Sequence, residues 1–136
     1  MSSTLPVIDL APFRAAVAAG VRLVMVGHAR YPALDRYRIA SQSEPIIGGI
    51  LRGELGFDGV VVTDSLEARA SLSTGSLETV AERAIRAGAD LLLLTGRGSY
   101  RPVYDHLLAV AKTDPAFRAR VRESAVRVLA LKVAAR

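Results

Sequence analysis

The stretch Gly59-Val60-Val61-Val62-Thr63-Asp64 decides how the rest of the chain is read. Its three valines and its threonine are β-branched, which favours extended backbone, and the lack of polar alternation predicts a strand covered on both faces. Strands of that kind belong to parallel sheets packed by helices on either side. Two more runs of the same character flank it, VRLVMV at 21–26 and LLLL at 91–94. Helical segments lie between them. Asp9 is placed to cap a helix starting at Leu10 or Ala11, with Pro12 in the first turn and Gly20 as the stop. Pro45, after Ser43, opens a helix through IIGGILRGEL to Gly56, and Ser76 with Thr79 opens LETVAERAIRA, which Gly88 ends. A helix near Tyr100 to Lys112, a break at Asp114 and Pro115, and a basic helix from Phe117 complete an α-β-α-β-α-β-α order. This alternation predicts an α/β fold with about three parallel strands and flanking helices, joined by right-handed crossovers, in a Rossmann-like sheet or a piece of a (β/α) barrel.

Composition narrows the function. At 136 residues, 51% hydrophobic and 23% charged, the chain has the make-up of one folded domain. No window approaches the roughly 18 apolar residues of a membrane helix, and MSSTLPVIDL has neither the basic head nor the apolar run of an export leader, so a cytoplasmic location is expected. Without cysteine there is no disulfide and no thiolate, and His28 and His106 alone offer little to a metal; neither metal nor cofactor is expected. The net charge of +5 raises the question of nucleic acid. Residues 1–116 carry 12 Lys+Arg against 12 Asp+Glu, whereas residues 117–136 carry six basic residues against Glu123 alone. The excess therefore lies on the last helix, where Phe117, Val121, Ala125 and Val128 recur at helical spacing and the basic residues are expected to form its wet face. No aromatic interleaves with Arg118, Arg120 and Arg122 and no nucleic-acid motif accompanies them, which argues against a polyanion partner.

In parallel α/β architectures functional groups gather just past the C-terminal ends of the strands. Those positions read His28-Ala29-Arg30-Tyr31, Thr63-Asp64-Ser65 and Thr95-Gly96-Arg97. A complete dinucleotide fingerprint and a GxxxxGK[ST] phosphate loop are both missing. Read together, Leu51-Arg52, Glu54-Leu55-Gly56-Phe57-Asp58-Gly59-Val60 and the strand ending Thr63-Asp64-Ser65-Leu66 resemble the nucleophile segment of glycoside hydrolase family 3, in its bacterial β-N-acetylhexosaminidase branch. Asp9-Leu10-Ala11-Pro12-Phe13, Val24-Met25-Val26-Gly27-His28 with Tyr31-Pro32 and Asp35, Ala87-Gly88-Ala89-Asp90-Leu91 and Arg127-Val128-Leu129-Ala130-Leu131-Lys132 resemble the same family in its order.

The resemblance implies a partial (β/α)8 TIM-type barrel, with residues 1–136 as the C-terminal part of the catalytic barrel. It implies that Asp64 is the nucleophile of a retaining glycosidase acting on β-linked N-acetylhexosamine, for instance in peptidoglycan fragments. Taken alone, Asp64 reads equally well as a helix cap or loop carboxylate. His28 faces the sugar or braces the loop from behind, and Arg30 and Tyr31 are candidates for the pocket rim. The family's upstream Lys-His, Pro-Gly-His-Gly and Asp-x-His motifs, which supply sugar contacts and the general acid/base, do not occur in these residues. Three strands cannot close a barrel of eight, so the chain is expected to be a shortened family member with an exposed apolar face, prone to self-association or in need of a complementing chain. A noncatalytic truncated remnant or a sugar-binding half-barrel is the alternative.

Overall fold

A computed structural model describes the backbone of residues 7–135 and the side chains of residues 10–135. Helix α1 (Val7–Ala18) begins earlier than expected. Asp9 therefore falls inside the helix rather than at its cap, its side chain lying outside the described residues, and Pro12 moves to the sixth position. The helix thus takes in Val7 and Ile8 and tolerates the one ladder bond that Pro12 cannot donate. Gly20, at φ +79, turns the chain out of α1, with the Gly20 and Val21 amides donating to Val17 and Ala16 carbonyls at 2.9 and 3.0 Å.

Strand β1 (Leu23–Val26) runs parallel to β2 (Val60–Thr63) in the register Leu23 to Val60 and Val26 to Thr63. The third strand does not form. Leu91 makes only an isolated parallel bridge to Val62. Beyond it the Leu93 amide donates to the Thr63 hydroxyl at 3.1 Å instead of to a β2 carbonyl, and the Leu93 carbonyl accepts from Leu66, past the end of β2. Side-chain capture of one ladder position keeps LLLL extended beside β2 without making it a strand.

Valines 24, 26 and 61 turn to the helical layer, where they meet Ile47, Leu51, Phe57, Ala84 and Ala87. Strands of this character are covered on both faces in a complete sheet, and an exposed apolar face was expected only if the chain is a shortened barrel. Leu23 is 40% and Met25 53% exposed, in keeping with that expectation. A second cluster, Leu66, Val80, Ala81 and Val103, joins β2's loop to α3 (Leu77–Ala87) and α4 (Tyr100–Thr113), and Leu92 packs against both clusters.

The crossover from β1 to β2 passes through an antiparallel bridge (Arg30 to Ile39), a 3₁₀ turn (Ala40–Gln42) and the helix Pro45–Glu54, which is wound as a π-helix. Its end shows the wide turn directly, the Leu55 amide reaching the Ile50 carbonyl at 2.9 Å. Gly59, which starts the run into β2, is required by crowding: a Cβ there would stand 2.5 Å from the Arg22 carbonyl oxygen and 2.7 Å from the Phe57 ring. After β2 come α2 (Arg69–Leu72) and α3, which Ser76 caps by accepting from the Thr79 amide at 3.3 Å and Gly88 ends at φ +119. The last helix, α5 (Pro115–Ala134), starts two residues before Phe117 because Asp114 accepts from the Phe117 amide at 3.0 Å. No helix among the described residues is long and apolar enough to cross a membrane.

The basic helix corrects another expectation. Its arginines do not all face water. Arg120 and Arg127 turn inward to the Asp90 carboxylate, at 2.7 and 3.2 Å, where Arg52 joins them at 2.6 Å. Exposed positions on α5 include Val126, Leu129 and Val133. The deciding influence is Asp90, whose side chain is fully buried at the start of the LLLL run and must be compensated.

Candidate functional site

Asp64 follows the last residue of β2, and its amide donates to the Val26 carbonyl at 2.9 Å, which ties it to the end of β1. The side chain is exposed, and Oδ1 accepts from the Ser65 amide at 2.7 Å. A carboxylate so held points from the strand end toward solvent with its second oxygen available.

His28 follows β1 and is 8% exposed. Its Nε2 lies 2.8 Å from the Ser65 carbonyl oxygen, which can only accept, so Nε2 carries the proton. In the neutral ring Nδ1 then accepts from the buried Ser41 hydroxyl at 2.8 Å. Both ring nitrogens are thus engaged within the protein. His28 and Asp64 are brought together through a shared neighbour, Ser65. Arg30 and Tyr31 are not. Arg30 is an exposed residue of the antiparallel bridge, and Tyr31 borders an apolar cavity of about 370 Å³ between α1, β1 and the π-helix, lined also by Phe13, Met25, Ile46 and Ile50. That cavity offers little to a polyhydroxylated ring.

Glu67 is the residue that sequence reasoning missed. It lies three positions after Asp64, and its carboxylate accepts from the Thr95 amide, from the Thr95 hydroxyl at 2.9 Å and from the Gly96 amide at 2.8 Å. These donors, the Thr95 amide first and then Ser99 and Gly96, hold the carboxyl well below its ordinary value, at about 2. Gly96 is glycine for a visible reason, since a Cβ there would run into Glu67 Oε1. The available sequence signal was the Thr95-Gly96 pair at a strand end, whose amides need an acceptor.

A second carboxylate, Asp35, sits in the loop after β1. Burial would raise its pKa, but the Tyr37 amide, the Ser43 hydroxyl at 2.8 Å and the Arg38 amide outweigh that and lower it. At the other end of the sheet Asp90 has the same sign. Burial opposes its ionisation, and the Val61 amide, Arg120, Ser124 and Arg52 together overcome it. Burial also pushes Arg52 down, and the attraction of Asp90 does not fully offset burial and the nearby Arg127 and Arg120 charges. Among the described residues no group of three or more His, Asp or Glu side chains is placed to hold a metal ion.

Comparison with known proteins places this geometry. Residues 2–131 match the model of the glycosyl hydrolase family 3 N-terminal domain. The chain belongs to glycosyl hydrolase family 3. It is 40% identical to the β-N-acetylhexosaminidase of Beutenbergia cavernae, whose crystal structure superposes with a TM-score of 0.84 over 88% of this chain and 36% of that one. A family 3 β-N-acetylglucosaminidase from a Paenibacillus species is 42% identical, with a TM-score of 0.83 over 91% of this chain and 24% of that one. An uncharacterised secreted glycosyl hydrolase of Arthroderma benhamiae is 33% identical over 91% of this chain and 36% of its own length. The chain thus spans about a third or less of these relatives. Its architecture is a partial TIM-type barrel of that family.

Proposed function

We propose that the chain is the nucleophile-bearing part of a retaining glycosidase that removes terminal β-linked N-acetylhexosamine, with Asp64 as the nucleophile. The observation that supports this reading best is the placement of Asp64, exposed just past the C-terminal end of β2 with Oδ1 held by the Ser65 amide. Active groups of (β/α) barrels occupy that position. With Oδ1 engaged, Oδ2 attacks the anomeric carbon, the aglycone oxygen leaves with the bonding pair, and water later releases the glycosyl-enzyme with net retention.

The leaving oxygen needs a proton donor, whose pKa in such enzymes is raised. Glu67 and Asp35, carboxylates of the strand-end loops, are both lowered by hydrogen bonds and are ionised at neutral pH. Neither is suited to that role, which supports a donor supplied by polypeptide other than residues 10–135, and the open apolar face carrying Leu23 and Met25 is a surface on which it could close. The same scarcity of acids favours a second reading, a noncatalytic sugar-binding unit. Incubation with a 5-fluoro N-acetylglucosaminyl fluoride, whose activated leaving group needs little protonation, separates the two. A glycosyl adduct on the peptide containing Asp64, absent in Asp64→Asn, supports the nucleophile. Saturable sugar binding by a folded sample with no adduct would leave the noncatalytic reading.

A further inference from the structure

The strand-end hydrogen bonds form one continuous path. Thr95 donates its hydroxyl proton to Glu67, which can only accept, so the Ser65 hydroxyl 3.0 Å away is the donor to Thr95 Oγ1. Ser65 then has every polar group committed. Its amide holds Asp64 Oδ1, its carbonyl accepts from His28, and its hydroxyl is fixed by Thr95. Traced through, the path runs Ser41, His28, Ser65, Thr95, Glu67, and joins the ends of β1, β2 and the extended Leu91–Leu94 segment. Ser65 is the residue between both arms and the exposed Asp64.

We propose that Glu67 and His28 are positioning residues that grip Ser65 from opposite sides and thereby fix the direction in which the Asp64 carboxylate points. This deepens the reading of Asp64 as nucleophile and rests on it. An exposed aspartate on a free loop would sample many rotamers. One whose Oδ1 is anchored to an immobilised amide presents Oδ2 along one line, and a misplacement of about 1 Å at a reacting atom can cost 100-fold in rate. Glu67 exerts its hold without a hydrogen bond to Asp64; its lever is the Thr95 hydroxyl, and Gly96 leaves the room it needs.

Two readouts test this on the 136-residue chain. Amide exchange at Ser65 reports the grip without any sugar, and the rate of adduct formation at Asp64 with the fluoro-sugar reports its consequence. In Glu67→Ala and in Gly96→Ala, Ser65 exchange is expected to accelerate about 10-fold or more, and labelling to slow by about 10- to 100-fold with little change in the inactivator concentration giving half-maximal rate. Thr95→Val keeps the backbone donors and removes only the hydroxyl, so it should reproduce both effects even where Glu67→Ala folds poorly. His28→Gln, which can still donate to the Ser65 carbonyl, should retain more labelling than His28→Ala. Unchanged Ser65 exchange in Thr95→Val and His28→Ala overturns the proposal. If the parent chain takes no label, the nucleophile reading falls, while Ser65 exchange still decides the brace.

Discussion

The two flanks of β2 are built to different standards. On one flank, Asp90 gathers Arg52 from the π-helix and Arg120 and Arg127 from α5, with the Ser124 hydroxyl at 2.9 Å and the Val61 amide at 3.0 Å, around a carboxylate with no solvent exposure. On the other, β1 presents Leu23 and Met25 to water, and α1 is held by Val17, by the walls of an apolar cavity and by an exposed Arg14 to Glu54 pair at 2.9 Å. What differs is how far the neighbours of each element lie among the described residues. A barrel wall is finished only where both of its flanking units are present.

Substitutions should magnify that contrast. Asp90→Ala strips one carboxylate from three converging guanidiniums and is expected to cost about 3–5 kcal/mol of unfolding free energy by urea titration. A loss below about 1 kcal/mol would show that the cluster does not hold the closed flank together. Ile47→Ala, at a fully buried position, should cost about 2–5 kcal/mol, whereas Met25→Ala on the open face should cost under about 1 kcal/mol. Comparable losses for the two would mean that the Met25 face is covered in solution, and sedimentation of the parent chain would show by what.

A pH series sharpens the same comparison at the strand ends. Glu67 is lowered to about 2 in the fold from an ordinary 4.5, so its contribution is complete above about pH 4.5 and is lost as pH falls toward 2. The urea midpoint should drop from pH 5 to pH 3, and Glu67→Gln should flatten part of that drop, the rest belonging to Asp90, Asp114, Asp35 and Glu82, which are lowered too. An identical slope in the variant would remove Glu67 from the account. Smallest of all, Arg14→Ala breaks a solvated pair on the open flank and should change stability by no more than about 0.5 kcal/mol.

What could be read in the sequence was local. The Ser76 cap and the Gly88 stop of α3 are set by the conformations those residues prefer, and both stand where the residue types put them. The parallel pairing of VVVT with the earlier valine-rich run followed from uniform apolarity. What escaped depended on partners far along the chain. LLLL looked like a strand because its side chains suit one, yet the Thr63 hydroxyl takes the Leu93 amide. The arginines of α5 looked like a wet face because nothing nearby in sequence claims them; Asp90 claims Arg120 from 30 residues away. At the site, Asp64 stood out through the motif around it, whereas Glu67 was one loop acid among many until its donors were visible.

The Asp90 cluster also sets an order in time. As the chain is made from its N-terminus, Asp90 is joined 30 residues before Arg120 and 37 before Arg127. At about 5–20 residues per second those cations arrive roughly 2–7 seconds after it. Until then Arg52 is its single guanidinium partner, and burial of the carboxylate is incompletely compensated. Closure of the well-packed flank is thus deferred until α5 has been made, and a nascent chain arrested before α5 should keep the start of the LLLL run accessible to protease.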